Sequence, residues 1–281
     1  MADAALPVSS HADSRSPLTP ESVANLFVLV LLGGGARVAL ALEEPFWITL
    51  ATKIAILGLA GVGLNLALGT GGLISLGHAA FFGVGGYVAG ILTHHAFTYE
   101  PILSDPVLVE GSKNILVAMG VAIVFGSVLA GLIGALSLRS SGVYFIMITL
   151  AFAQMIYYFA ISWPTYGGED GLPIVLRNEF PGLNTLDPLQ FFGLCFAILI
   201  ICLYLVSTIT QSRFGLALSC ARQNETRLIS LGISPFPIRL LAFVISGGIT
   251  ALAGALFANL NRFVSPEMLS WHMSGEIMVL V

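Results

Sequence analysis

The sequence predicts an all-α, polytopic transmembrane helical bundle, and three observations carry that prediction. Hydrophobic residues make up 57% of the 281 and charged residues only 9%, where a soluble domain carries about 25% charged. Mean hydropathy is +0.94. The apolar residues fall in runs of about 20, the length that crosses a hydrocarbon core ~30 Å thick, so the chain has room for about eight spans. A net charge of -4 says little when so few charges exist. Nucleic-acid binding is excluded as a class, because no basic face occurs outside one loop.

Taken in order, residues 1–22 are rich in Ala, Ser, Asp and Pro and read as a disordered tail. Ala39-Leu40-Ala41 mimics a signal-peptidase site. The apolar run before it is too long for a signal peptide, and Arg37 interrupts it. The remainder, 23–281, is one transmembrane domain. Its spans are expected at about 23–42, 47–68, 72–93, 115–137, 142–161, 190–210 and 238–259, with an eighth starting near 276. The sequence stops inside an apolar run, Ile277 to Val281, and a helix cannot end after one turn in lipid. A C-terminal truncation is therefore expected.

Orientation follows from Lys and Arg, which favour the cytoplasmic side. With the N-terminus inside, that side holds Arg15, Arg139, Arg213, Arg222, Arg227 and Arg239, against Lys113, Arg177 and Arg262 outside. Arg37 and Lys53 lie within spans, near their outer ends, where they can snorkel. The outer loop at 162–189 is long, turn-rich and acidic at Glu169 and Asp170. A loop of that length is uncommon without a function, so it is expected to dock an external partner or cap a pore.

Leu64 to Tyr87 is glycine-rich, with Asn65, Ser75 and His78 among apolar residues. Glycine weakens a helix by ~1 kcal/mol relative to Ala. It also allows either close helix packing or a broken helix that lines a cavity. Gly126, Ala130 and Gly134 in one span, and Thr250, Gly254 and Ala258 in another, recur every four residues as helix–helix contact faces. Gln154 is the strongly polar side chain of its span. Asn65, Ser75, His78 and Gln154 are thus the candidates for a solute path. No expected span centre carries Asp, Glu, Lys or Arg, which argues against an ion-coupled pump.

The longest polar interruption of the C-terminal half is 211–237. Its middle reads as a short amphipathic helix, with Leu218, Ala221, Leu228 and Leu231 on one face and Arg222, Gln223, Asn224, Glu225 and Arg227 on the other. Gly232 ends it, and Pro235 and Pro237 separate it from the next span. A basic loop that folds into a helix suggests a surface for a cytoplasmic partner. There is no phosphate-binding glycine loop, no nucleophile–His–carboxylate set and no metal cluster, so no catalytic residue is expected. Cys195, Cys202 and Cys220 form no redox or metal pattern.

The run GLNLALGTGGLISLGHAAFFGVGGYVAGIL at 63–92 resembles the permease subunits of branched-chain amino-acid ABC transporters, specifically the longer of the two paired permeases. SGVYFIMITLAFAQMIYY at 141–158, TYGGEDGLP at 165–173, and GLALSCARQNETRLISLGISPFPIRLLAFVISGGITALAGALF at 215–257 match the same family in the same order. The resemblance implies an ABC importer permease in a bacterial inner membrane, paired with a second permease. Two cytoplasmic ATPases would drive it, and a periplasmic solute-binding protein would deliver the solute. This chain would bind no cofactor, because ATP is used by its partners, and it would not be an enzyme. Residues 215–233 would form the segment that couples to an ATPase. Arg222, Asn224, Glu225 and Arg227 are expected to make polar contacts there, with Leu228, Leu231 and the terminating Gly232 completing the surface. The family's Glu-Ala-Ala…Gly pattern is present only as Glu225-Thr226-Arg227 with Gly232. Related systems carry urea, amides or other amino acids. A secondary transporter or channel is the reading from another class.

Overall fold

A computed structural model of the chain describes residues 45–98, 111–140, 142–175 and 177–281. The expected tail at 1–22, the expected span 23–42 and Arg15 and Arg37 lie outside the described residues.

Helix α1, Pro45–Asn65, passes directly into a π-helical turn, Leu66–Thr70. Then follow α2, His78–Thr98, α3, Ile115–Ser137, α4, Val143–Ile161, and α5, Pro188–Gln211. Two short helices come next, α6, Arg213–Gln223, and α7, Glu225–Ser230. The last long helix is α8, Pro235–Asn261, and a short α9 covers Trp271–Val279. Two tiny strands, β1 at Leu172–Pro173 and β2 at Phe263–Val264, pair antiparallel. Helix starts follow from local chemistry. The side chains of Asn114 and Asp187 accept from Leu116 N and Leu189 N at 3.0 and 3.1 Å, and Pro188 and Pro235 occupy first-turn positions where no N–H is needed.

Among the described residues, five helical stretches are long and apolar enough to cross a membrane: Phe46–Thr70, α3, α4, α5 and α8. The expected span at 72–93 is corrected. Residues 71–77 are not helical, and the helix begins only at His78. Gly72 adopts a left-handed φ of 67°, which ends the preceding turn. Ser75 Oγ then accepts from Gly77 N at 3.1 Å, a local turn that competes with helix. The expected start near 276 is too late: α9 begins at Trp271.

α8 occupies the centre. It packs on α3, α2 and α1, and every residue from Ser246 to Leu260 is buried. Small residues make this possible. A Cβ at Gly85 would fall 1.9 Å from Ala251 O, and one at Gly254 would fall 1.7 Å from Phe82 O, so the α2 and α8 backbones touch. Gly126 and Ala130 of α3 meet Ala251 and Gly247 of α8 in the same way. The glycine-rich α2 and the small-residue face of α8 therefore pack on each other, as small-residue faces do in membranes. α3, α4 and α5 turn apolar side chains such as Phe125, Leu132, Met147 and Ile201 outward, as lipid-facing helices do.

Candidate functional site

Three places set polar side chains against the apolar helices. At one end of the bundle, α6 and α7 form the amphipathic segment. The single expected helix is corrected to two, broken at Asn224. That residue is extended (φ -158°, ψ 102°), and its side chain accepts from Arg227 N at 3.1 Å, so it caps α7. Leu218, Ala221 and Leu228 are buried, as the amphipathic pattern predicts. Leu231 is not on that face. It lies beyond the end of α7 and is 70% exposed, because Gly232 at φ 80° turns the chain there. Leu228 is therefore part of this chain's own core, and the exposed apolar side chains of the segment include Leu216, Ile229 and Leu231.

This segment is tied to the membrane helices at three points. Arg222 Nη1 donates to Gly69 O in the π-turn, and its stem covers Gly72. Arg239, in the first turns of α8, donates to Ala221 O at 2.9 Å and forms an ion pair with Glu225. Leu218 packs against Gly71. Arg227, by contrast, is exposed.

The second place is the junction of α1, α2 and α8. Ser246 Oγ donates to Gly63 O at 2.6 Å. Its one hydrogen is thereby used, so the 2.8 Å contact with His78 must be a donation from His78 Nε2 to Ser246 Oγ. The His78 ring meets Phe81 and Phe243 edge-on, and it is fully buried together with Ser75. Of the path candidates, His78 and Ser75 are thus core residues in this conformation. Asn65 is exposed and lays its side-chain oxygen over Gly69. Gln154 is half-buried on α4. No hydrogen bond joins Gln154 to the other three among the described residues. Ser246 was the missed member of this group, hidden among small residues that read only as packing.

The third place is an open cavity of about 580 Å3 between α4, the end of α8 and residues 263–276. Its lining mixes Phe257, Met268 and Met273 with polar Tyr157, Asn261, Glu267, His272 and Glu276. The chain after α8 does not stay at the bundle's end. It follows α2 inward: Val264 lies against Gly90, Met268 against Gly86 and Leu269 against Gly83. Ser274 Oγ then donates to Leu76 O and accepts from Ala79 N. From Gly90 to Ala79 is eleven residues of helix, about 16 Å. Glu276, two residues after Ser274, is exposed. Among the described residues, the centres of the five helices long enough to cross a membrane carry no Asp, Glu, Lys or Arg, as expected.

At that same end, the 162–189 loop is pinned rather than loose. Arg177 donates from Nε to Asn259 O, from Nη2 to Leu260 O and from Nη1 to Thr185 O at 3.1 to 3.2 Å, and its guanidinium lies 4.7 Å over Phe191. It satisfies carbonyls at the C-terminus of α8, where a cation is favoured. Burial, and then the charge of Arg262, push its pKa below the ordinary value. His95 Nε2 and Tyr166 OH meet at 3.0 Å. Glu169 and Asp170 are exposed on a turn bounded by Gly168 and Gly171, both at positive φ.

A family profile described as "Branched-chain amino acid transport system / permease component" matches residues 46–281. The chain belongs to this permease family. The permease is also 26% identical, over 91% of its length, to the high-affinity branched-chain amino acid transport system permease protein LivM of Escherichia coli strain K12. It has the same identity and coverage to LivM of Salmonella typhimurium. It spans 62% of the length of these two relatives. No solved structure matches it. The match agrees with the helical, membrane-spanning architecture and makes this a multi-pass transport permease.

Proposed function

We propose that this permease is one half of the solute path of an ATP-driven importer for branched-chain amino acids in a bacterial inner membrane. A second permease completes the path, two cytoplasmic ATPases power it, and a periplasmic binding protein delivers solute at the Glu169–Asp170 end. Its N-terminus is then cytoplasmic. The permease hydrolyses nothing itself.

The observation that carries this reading is the α6–α7 segment. An ATPase that closes on ATP must displace helices through a stiff lever. Here two capped helices are fastened to the π-turn through Arg222 and to α8 through Arg239. They leave Arg227, Ile229 and Leu231 exposed for a partner's groove. A push on that surface reaches α1 through Gly69 and the central α8 through Arg239, which is what coupled motion requires.

The test is purification of the full-length permease from native membranes, with mass spectrometry of what accompanies it, followed by leucine uptake in proteoliposomes. Recovery of a second permease and two ATPases, with uptake that needs ATP, supports the proposal. Uptake that persists without ATP or ATPases would replace it with a secondary transporter. ATP-driven uptake of urea or amides, but not leucine, would keep the machine and change its solute.

A further inference from the structure

We infer that the π-turn Leu66–Thr70 is a register switch, and that Arg222 sets it by occupying a carbonyl that the α-helical register needs. Only the source of the push on α6 rests on the proposed function; the switch itself is a property of this chain.

The backbone bonds around the turn define two competing ladders. In an α-helix each N–H donates to the carbonyl four residues earlier. Gly72 N obeys that rule, donating to Leu68 O at 3.0 Å, but its neighbours do not. Gly71 N reaches five residues back to Leu66 O at 3.3 Å, and Leu73 N reaches six back to Ala67 O at 2.9 Å. In the α register Gly71 N would take Ala67 O, and Leu73 N would take Gly69 O. That last carbonyl is held by Arg222 Nη1 instead. A cation on the carbonyls that end a helix is favourable, so the arginine pulls the balance toward the π form. With Arg222 withdrawn, Gly69 O is free to accept from Leu73 N, and the ordinary helix can run on through Gly72.

Local propensity does not choose between the ladders. Gly69, Gly71 and Gly72 are poor helix formers. Gly72 now sits at φ 67°, yet a glycine can take a helical φ at no steric cost. The two ends of the segment, by contrast, are fixed. Ser246 of α8 donates to Gly63 O and accepts from His78, so one side chain clamps both ends of the passage from α1 to α2. The tip of that passage is gripped by α6, with Arg222 at Gly69 and Gly72 and Leu218 at Gly71. A displacement of α6 that lifts Arg222 off Gly69 is therefore taken up between Gly63 and His78. One residue of register is about 100° of rotation and ~1.5 Å of rise, a discrete step rather than an elastic bend. Short π segments within helices recur at functional sites, and this one stands where the amphipathic segment meets the membrane helices.

The test uses the full-length permease co-purified with its partner subunits, and reads hydrogen exchange at single amides by mass spectrometry with electron-transfer fragmentation. Without nucleotide, Arg222→Ala is expected to change the exchange rates of the Gly71 and Leu73 N–H groups at least tenfold. The Gly72 N–H and the body of α1 at 50–62 should stay within twofold of wild type. Gly72 is the internal control, because its N–H keeps Leu68 O in both registers. Arg222→Lys, which retains a donor, should match wild type, and wild type trapped with ATP and vanadate should reproduce the Arg222→Ala pattern. Deleting Thr70 removes the extra residue of the π-turn. In proteoliposomes with binding protein, that deletion should lower the leucine imported per ATP hydrolysed at least tenfold, and adding Arg222→Ala to it should lower the ratio no further. Unchanged exchange at Gly71 and Leu73 in Arg222→Ala, wild-type import per ATP in the deletion, or additive losses in the double variant would overturn the switch while leaving the importer intact. If the deletion does not assemble, the exchange comparison decides. Should no ATPase co-purify, or uptake proceed without ATP, the proposed function falls, and the nucleotide-free comparison of Arg222→Ala with wild type still decides the switch.

Discussion

Arg239 and Glu225 are an ion pair between two elements that the sequence separates by a glycine–proline turn, and it locks α7 against the first turns of α8. The pair is uneven: the Arg239 side chain is 19% exposed and that of Glu225 is 48% exposed. A pair this open to solvent is worth little to stability, about 0.2–1 kcal/mol. Its value lies in geometry, since Arg239 also holds Ala221 O. Glu225→Gln is therefore expected to leave the thermal midpoint of the detergent-purified permease nearly unchanged while lowering the uptake obtained per ATP hydrolysed. Arg239→Ala should reduce both.

The exposed apolar residues of the segment make a separate prediction. Ile229→Asp with Leu231→Asp should leave expression and folding intact and abolish ATP-dependent uptake, because both side chains are exposed. Leu228→Asp would place a charge in a site 2% exposed and should simply prevent folding. ATPase co-purification at wild-type yield with the 229/231 variant would place the coupling contact elsewhere.

The close approach of α2 and α8 can be tested by size. Gly254→Ala should destabilise by about 1–3 kcal/mol or more, since the added methyl meets backbone rather than a movable side chain. Gly120→Ala in α3 has nothing within 4 Å of its new Cβ. It should be neutral or stabilising by up to ~1 kcal/mol from helix propensity. Thermal midpoints by size-exclusion fluorescence would separate the two, and equal midpoints would contradict the packing.

Ser246→Ala should cost about 1–3 kcal/mol, because it leaves the buried His78 Nε2–H without a partner and removes the hydroxyl bound to the Gly63 carbonyl. The effect should shrink in a His78→Phe background, giving a measurable interaction energy in a double-mutant cycle. Additive losses would mean that the two side chains do not share a hydrogen bond.

Arg177→Lys should behave like Arg177→Ala, each losing about 1–3 kcal/mol and exposing 162–189 to protease. A lysine cannot reproduce three donors in one plane stacked on Phe191. Full retention of protease resistance in the lysine variant would show that charge alone suffices.

Much of this fold was legible in the sequence. Span 115–137 is matched to the residue, and 142–161 and 190–210 to within two residues, because long apolar runs bounded by Asn114, Gly142 and Asp187 leave little choice. The periodic Gly126/Ala130/Gly134 face was also readable, since small residues every four positions have few other uses. The α6–α7 segment was found for its charge, but the break at Asn224 was not. A capping residue inside an amphipathic pattern looks the same as one more polar residue on the wet face. Residues 71–77 misled for a physical reason. Hydropathy reports that a segment lies in an apolar setting, not that it crosses the membrane. The Ser246–His78–Gly63 link and the cavity lining join residues up to 183 positions apart, a distance over which no periodicity speaks.

The burial of α8 has a consequence for how the protein is made. α2 and α3 carry small-residue grooves at Gly85 and Gly126 that α8 fills, and α8 emerges from the ribosome more than a hundred residues later. Until then those helices can sit in lipid with an empty slot between them, individually inserted but not joined. The last long helix must leave the lipid and slide into a pocket that its predecessors have kept open. Substitutions that enlarge residues on that slot, such as Gly85→Leu, should thus raise turnover of the newly made chain by the cell's membrane proteases, even where each helix still inserts normally.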